Sequence, residues 1–118
     1  MAYSNIEKKP YLVLASLAAN AFGDAIEVRN IKRGSLFVTW TGASATDATV
    51  KAQRNHDPSN PDGWQDISGA SVTIGAAAGS KEIPLIADTL LSPYVRAVYT
   101  KNAETTGIAN VAYFFKGV

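Results

Sequence analysis

The residues best suited to chemistry lie together in one stretch, "NHDPSNPDGWQD". It contains the chain's single histidine, His56, and the hard oxygen donors Asp57, Ser59, Asn60 and Asp62. Oxygen donors suit Ca²⁺, and an imidazole suits Zn²⁺. However, the spacing departs from the D-x-[DN]-x-[DN]-G calcium pattern, since a proline occupies a ligand position, and no second His or Cys could complete a zinc site. The sequence therefore predicts no metal here.

The same stretch lacks the features of a catalytic centre. General acid–base catalysis needs His56 or a carboxylate pair held in a sheltered pocket. Asp57 and Asp62 instead lie in a polar segment, where nothing in the sequence indicates desolvation. The chain has no G-x-S-x-G, glycine-rich phosphate loop or metalloprotease motif. We therefore expect a protein without enzyme activity and without cofactors.

The alternative interpretation of this stretch is a hairpin loop. Asp-Pro, Asn-Pro and Asp-Gly pairs form turns, and Pro58 and Pro61 restrict the backbone, so the loop is stiff without a ligand. Residues 55–63 are therefore predicted to form an exposed loop. Trp64, which closes the hairpin, is predicted to pack in the core, with ligand stacking as the alternative.

The elements around this loop are predicted to be strands, because apolar and polar residues alternate along most of the chain. "SLFVTWTG" (residues 35–42) places Leu36, Val38 and Trp40 on one face. The other predicted strands are Tyr11–Leu17, Ala25–Asn30, Thr49–Arg54, Gln65–Ile67, Ser71–Ile74, Lys81–Ile86, Pro93–Asn102 and Gly107–Gly117.

Many short strands separated by regularly spaced turn signals predict an all-β fold, a single-domain antiparallel β-sandwich of the jelly-roll-like kind. Residues 1–10 are predicted to form an N-terminal arm and residues 11–118 the sandwich domain. Pro84 cannot donate to a ladder, so its strand is predicted at an edge or bulge. The last strand is apolar on both faces, which indicates either a covered central strand or contact with another chain. The predicted core residues are Leu36, Val38, Trp40, Val50, Ile67, Val72, Val95 and Ala97.

Composition restricts the partners. Eleven basic and ten acidic residues give a formal net charge of +1 without a concentrated basic face, so no nucleic-acid partner is expected. The chain has no cysteine, which excludes disulfides and thiol chemistry. "YLVLASLAANA" after Lys8 and Lys9 imitates a signal peptide, but Glu7 and Pro10 are unusual there and the run is too short to span a bilayer. No membrane partner is expected.

One part of the chain resembles a known group of proteins. "TWTGASATDATVKAQRNHDPSNPDGWQDISGASVTI" is similar to a segment of small β-sandwich proteins of tailed-bacteriophage virions, with the pattern T-V-x-x-Q-x-S-N-D-G-x-x-W-x-D-I followed by S-G-A. The ending "YVRAVYTKNAETTGIANVAYFFKG" is similar to the close of the same proteins. The resemblance covers residues 34–117 and departs from the pattern in the longer loop 55–63. The matching positions are Thr49, Val50, Gln53, Trp64, Asp66, Ile67, Ser68, Gly69 and Ala70.

The resemblance implies a structural virion protein, a capsid decoration or cement protein assembled in the host cytoplasm and located on the capsid surface. Its expected partners are the major capsid protein or another virion protein and further copies of itself, as a small homo-oligomer such as a trimer. The alternative is a carbohydrate-binding β-sandwich module, on a tail or head fibre, with a glycan as ligand. The residues predicted to contact partners are Tyr3, Ile6, Lys8, Lys9, Tyr113 and Phe115.

Overall fold

The computed structural model describes residues 6–14, 16–28, 31–44, 47–75, 77–86 and 93–117. Within these ranges the secondary structure consists of strands and one short 3₁₀ turn, Pro61–Gly63. None of the described residues forms a helix long and apolar enough to cross a membrane. The strands are β1 (Ile6–Leu14), β2 (Ala21–Phe22), β3 (Ile26–Glu27), β4 (Ile31–Ala43), β5 (Thr49–Asn55), β6 (Gln65–Thr73), β7 (Ala77–Ile86), β8 (Tyr94–Thr100) and β9 (Ile108–Gly117).

The strands form two sheets that pack face to face. Sheet I has the order β1-β9-β4-β7, and sheet II has the order β2-β8-β5-β6, with β3 also paired to β8. Every pairing in both sheets is antiparallel. The predicted antiparallel β-sandwich is therefore confirmed. β9 lies between β1 and β4, so the strand that is apolar on both faces is central within its sheet.

The core lies between the two sheets and follows the alternation of the sequence. Of the predicted core residues, Val72 alone is half-buried. The others, Leu36, Val38, Trp40, Val50, Ile67, Val95 and Ala97, are all buried.

Trp40 is the largest side chain that β4 contributes to this core. Its indole Nε1 donates a hydrogen bond to the Gly75 carbonyl at 3.0 Å. A Cβ at Gly79, the cross-strand neighbour of Trp40 on β7, would lie 2.7 Å from the indole Cζ2. Position 79 is therefore a glycine because the ring packs directly on its backbone, and the polar N–H of the ring is satisfied inside the protein.

The first strand begins earlier than the sequence predicts. β1 starts at Ile6, and the backbone of Ile6–Pro10 pairs with Ala112–Lys116 of β9. The predicted arm is therefore shorter than residues 1–10, and residues 1–5 lie outside the described part of the chain. An edge strand tolerates charged residues and proline, so the polar "EKKP" segment can still pair. The register shifts between Pro10 and Leu12.

β6 is longer than the sequence predicts. Gln65–Ile67 and Ser71–Ile74, predicted as two strands, form the single strand β6, interrupted by a register shift opposite Lys51 and Gln53. Gly69 adopts a φ of +77° inside that irregular segment.

β7 pairs within sheet I only with β4, which confirms the edge position predicted from Pro84.

Candidate functional site

The loop between β5 and β6 carries the residues with metal-binding side chains, and its tip is exposed. Residues 56–62 are exposed as predicted, but Asn55 and Gly63, at the two ends of the predicted loop, are buried and half-buried. Asp57 Oδ1 accepts hydrogen bonds from the Ser59 amide at 3.0 Å and the Ser59 hydroxyl at 2.6 Å. These bonds, the hydroxyl first, lower the pKa of Asp57 below its ordinary value. The carboxylate is thus occupied by its own loop.

Asn55 fixes the base of this loop from inside. Its side chain is 4% exposed and accepts a bond from the Asp57 amide at 3.0 Å while donating to the Asn60 carbonyl at 2.9 Å. A Cβ at Gly63 would lie 2.6 Å from Asn55 Oδ1, so the backbone there must approach the amide closely. Nowhere in the described ranges do three or more His, Cys, Asp or Glu side chains gather in a way that could hold a metal. The loop is a self-supporting turn.

Trp64 does not lie in the core, so its predicted position is wrong. The indole is half-buried on the outer surface of sheet II, where the Arg96 guanidinium carbon lies 4.4 Å from a ring centroid. The same carbon lies 4.5 Å from the ring centroid of Phe22, which is 64% exposed. Trp64 lies immediately before β6. The Arg96 guanidinium, which projects from β8, covers one side of its ring. No local pattern predicts Arg96 as this partner, since 32 residues separate the two positions.

A row of polar side chains crosses sheet II beside these rings. Arg96, Gln53 and Asp66 are direct cross-strand neighbours on β8, β5 and β6. Arg96 Nε donates to Gln53 Oε1 at 3.0 Å, Gln53 Nε2 donates to Asp66 Oδ1 at 2.9 Å, and Lys51 Nζ donates to Asp66 Oδ2 at 3.0 Å. Hydrogen bonds from Gln53 and then Lys51 lower the pKa of Asp66. We call these four side chains, with Phe22 and Trp64, the aromatic–polar row.

Three of the four strands of sheet I form an outer surface of the opposite character. The fourth strand, β7, places the exposed Glu82 beside Phe37 at the margin of this surface. Residues 12–14, 34–43 and 108–113, from β1, β4 and β9, include no Asp, Glu, Lys or Arg. Val13 is 69% exposed and Ile108 is 50% exposed on this surface. Between β4 and β9, beside Ile108, lies a shallow hollow of ≈ 160 Å³. We call the part of it formed by residues 12–14, 34–43 and 108–113 the uncharged face. Its outward side chains are Val13, Phe37, Thr39, Thr41, Ile108, Asn110 and Ala112.

The residues predicted to contact partners fall mainly at one end of sheet I. Tyr3 lies outside the described residues. Ile6, Lys8 and Lys9 belong to β1, and Phe115 belongs to β9, but the structure describes only their backbones. Tyr113 is half-buried and packs against the core, so the outward positions of β9 are instead those of Ile108, Asn110 and Ala112. A partner contact by the predicted residues stays a prediction.

The sequence does not predict the buried carboxylate of Glu104. Glu104, in the loop between β8 and β9, is 0% exposed. Its Oε1 accepts from the Ala48 amide at 3.0 Å and its Oε2 from the Asn102 amide at 3.2 Å. Desolvation acts to raise the pKa of Glu104, but the backbone N–H donors outweigh it and hold the pKa below its ordinary value. Nothing in "KNAETTG" distinguishes this glutamate from a solvated loop residue.

The Tyr99 side chain packs near this carboxylate. Its hydroxyl donates to the Leu17 carbonyl at 2.8 Å, and the ring is 1% exposed. Burial, followed by the charges of Glu104 and Asp47, raises the pKa of Tyr99 to about 12. The phenol therefore stays protonated and donates at all physiological pH values. Both Glu104 oxygens and the Tyr99 hydroxyl are engaged in hydrogen bonds to backbone groups of the loops, which indicates a structural role for this cluster.

No protein-family model matches the chain, and no curated protein sequence does. Solved structures do match. A CBM4 carbohydrate-binding module has 16% identity and a TM-score of 0.50, over 82% of this chain and 61% of that one. A pilus protein of Bacillus endospore appendages, described as disulfide-linked, has 7% identity and a TM-score of 0.56, over 99% and 92%.

A third similar structure is a cleaved adhesin domain of Lys-gingipain from Porphyromonas gingivalis, with 10% identity and a TM-score of 0.47, over 84% of this chain and 63% of that one. This chain thus spans less than two-thirds of the CBM4 chain. At such low identities the CBM4 and pilus likenesses show the β-sandwich fold alone.

Proposed function

We propose that this protein is a non-catalytic structural component of a virion that decorates and stabilises the capsid of a tailed bacteriophage. The observation that carries the proposal is the uncharged face of sheet I, where Val13 and Ile108 are exposed among side chains that bear no charge. Exposed apolar side chains within an uncharged surface favour contact with another protein. The resemblance of residues 34–117 to virion β-sandwich proteins supports the same function.

The chemistry of the uncharged face restricts what can lie on it. A partner that placed charged groups against this face would lose their hydration without gaining an opposite charge. The partner surface must therefore be apolar or neutral at its centre. A stable contact of this kind buries more than about 1,000 Å² in total. The proposed partners are the major capsid protein and further copies of the chain, arranged as a trimer on the particle surface.

Lysine substitutions on the uncharged face test this proposal. Val13→Lys with Ile108→Lys introduces two cations at exposed positions, so the sandwich should fold while capsid attachment and self-association weaken. Attachment is measured by co-sedimentation with phage capsids that lack this protein, and oligomer size by light scattering. Thr73→Lys, an exposed position on sheet II, is the matched control. Unchanged attachment of the double variant would refute the proposed contact.

Carbohydrate binding without capsid attachment is the competing function, and one similar fold belongs to a CBM4 module. It would use the aromatic–polar row rather than the uncharged face. A pilus-like function by disulfide linkage, as described for the Bacillus appendage, does not suit a chain without cysteine. A monomeric protein that binds sugars and ignores capsids would favour the competing function over decoration.

A further inference from the structure

The outer surface of sheet II combines aromatic rings with a continuous row of hydrogen-bonded polar side chains. Packing of the fold alone does not require these two kinds of group to lie together. Phe22 keeps 64% of its surface exposed although its ring contacts the Arg96 guanidinium. Next to it, hydrogen-bonding side chains continue across β8, β5 and β6 without interruption. Lys51 and Asp66 close the row with side chains that are 30% and 60% exposed. The row is therefore exposed at Phe22 and Asp66, while Gln53, Trp64 and Arg96 are half-buried.

The contacts within the row hold its groups in fixed positions. The Arg96 guanidinium lies against both Phe22 and Trp64, at 4.5 and 4.4 Å, and its Nε is bonded to Gln53. A cation–π contact is worth about 0.5–1 kcal/mol at exposed sites. Gln53 and Asp66 are in turn held by their neighbours, so few rotamers remain to be restricted when a ligand binds. A pre-ordered surface of this kind loses little side-chain entropy on binding.

The composition of the row selects among ligands. A purely apolar partner would desolvate Asp66 and Lys51 without replacing their water. A polyanion such as nucleic acid would be repelled by the carboxylate of Asp66. A pyranose sugar presents an apolar C–H face that stacks on an aromatic ring, and hydroxyls that both donate to carboxylates and accept from cations and amides. It matches every group in the row.

We propose that the aromatic–polar row binds a short pyranose oligosaccharide laid across the strands of sheet II. Adjacent strands are about 4.8 Å apart, close to the length of one sugar unit, so the three steps from β2 to β6 span about 14 Å and accommodate roughly three units. The first unit stacks on the exposed face of Phe22. The following units bond to Gln53, Asp66 and Lys51.

This inference goes beyond the proposed capsid attachment, because it uses the other sheet. The uncharged face and the aromatic–polar row lie on opposite outer surfaces of the sandwich. A subunit seated by the uncharged face therefore presents the row away from its seat. The two functions can be lost separately, since no residue of one surface belongs to the other.

The test uses the full chain and an array of bacterial lipopolysaccharide and capsular oligosaccharides. Soluble cellohexaose, xylohexaose and laminarihexaose are also titrated at millimolar concentration by NMR. We expect binding to at least one glycan, with the chemical-shift changes centred on Gln53, Trp64 and Asp66. Phe22→Leu keeps the apolar volume but removes the ring, and should weaken binding about 2- to 10-fold, the range of one aromatic contact. Phe22→Tyr keeps the ring and should retain binding.

Two further variants make the result decisive. Asp66→Ser should weaken binding while leaving the exposed loop and the core in place, and Val13→Ser on the uncharged face should leave the affinity unchanged. Absence of binding to every glycan on the array and in the titrations would overturn the proposal. So would binding that Phe22→Leu does not affect and that moderate salt abolishes, since that pattern indicates simple attraction of an acidic polymer to Lys51 and Arg96.

Discussion

Glu104→Gln tests whether one buried carboxylate joins two loops of the sandwich. The side chain is 0% exposed and bridges the Ala48 and Asn102 amides at 3.0 and 3.2 Å. Glutamine keeps the volume and one acceptor, but it removes the charge and turns an NH₂ group toward a backbone donor. Losing a charge-assisted bond and leaving that donor unsatisfied should lower the free energy of unfolding by about 2–4 kcal/mol at pH 7.

The pH dependence of stability separates loss of the Glu104 charge from poor packing of the glutamine side chain. Desolvation raises the pKa of Glu104, but the backbone N–H donors lower it by a larger amount. The folded-state pKa therefore lies below the ordinary value of 4.5. A carboxyl group of this kind stabilises the fold above its unfolded pKa, and the stabilisation disappears as the pH falls through the folded pKa. The difference between the parent protein and Glu104→Gln should therefore be largest near neutral pH and shrink below about pH 4.

Urea denaturation of both proteins at pH 7 and at pH 3 measures this difference directly. Asp57 and Asp66 also have lowered pKa values, but both are present in both proteins and cancel in the comparison. Asp66→Asn, at an exposed position, is the control and should cost less than about 1 kcal/mol. A Glu104→Gln protein as stable as the parent at pH 7, or equally impaired at both pH values, would refute the mechanism.

Four other substitutions address the core and the loops by urea or thermal denaturation. Trp40→Ala should cost about 3–5 kcal/mol as a core truncation, and a tolerant Trp40 would mean that the packing on Gly79 contributes little. Gly107→Ala should destabilise by more than about 1 kcal/mol, because φ is +118° there and a Cβ would lie 2.8 Å from Leu17 Cδ1. Asn55→Ala should cost about 1–3 kcal/mol through its lost loop bonds, whereas His56→Ser at the exposed tip should not change the melting temperature.

The central strands could be predicted because one face of each is buried. In β4, Leu36, Val38 and Trp40 alternate with half-buried residues, and β8 and β9 repeat the pattern. Strand ends were less predictable. β1 extends back to Ile6 because β9 offers it a backbone partner, and pairing of that kind depends on a distant segment that local patterning cannot reveal.

The candidate surfaces were harder to predict than the fold. The sequence predicts a buried Trp64 because a large aromatic residue beside apolar residues is usually buried, but the contact with Arg96 keeps the ring at the surface. That contact depends on β5 lying between β6 and β8, a strand order that alternation does not specify. The uncharged character of the segments in sheet I is visible in the sequence, whereas their assembly into one surface depends on the order β1-β9-β4.

The free edge of β7 gives a last prediction, on how the chain avoids pairing with other copies through its strands. The β4–β7 ladder keeps its register through Pro84, so the missing N–H of that proline faces the unpaired side. Lys81, on the same strand, is exposed. Proline and lysine are the residues that block edge-to-edge association.

The double variant Lys81→Val with Pro84→Val should therefore form higher-order β-sheet aggregates. Thioflavin fluorescence and light scattering measure the change, and Thr100→Val, which adds apolar surface on the internal strand β8, is the control. Equal behaviour of the double variant and the control would show that β7 needs no such protection. A selective increase would mean that Lys81 and Pro84 keep the β7 edge from pairing with other copies of the chain.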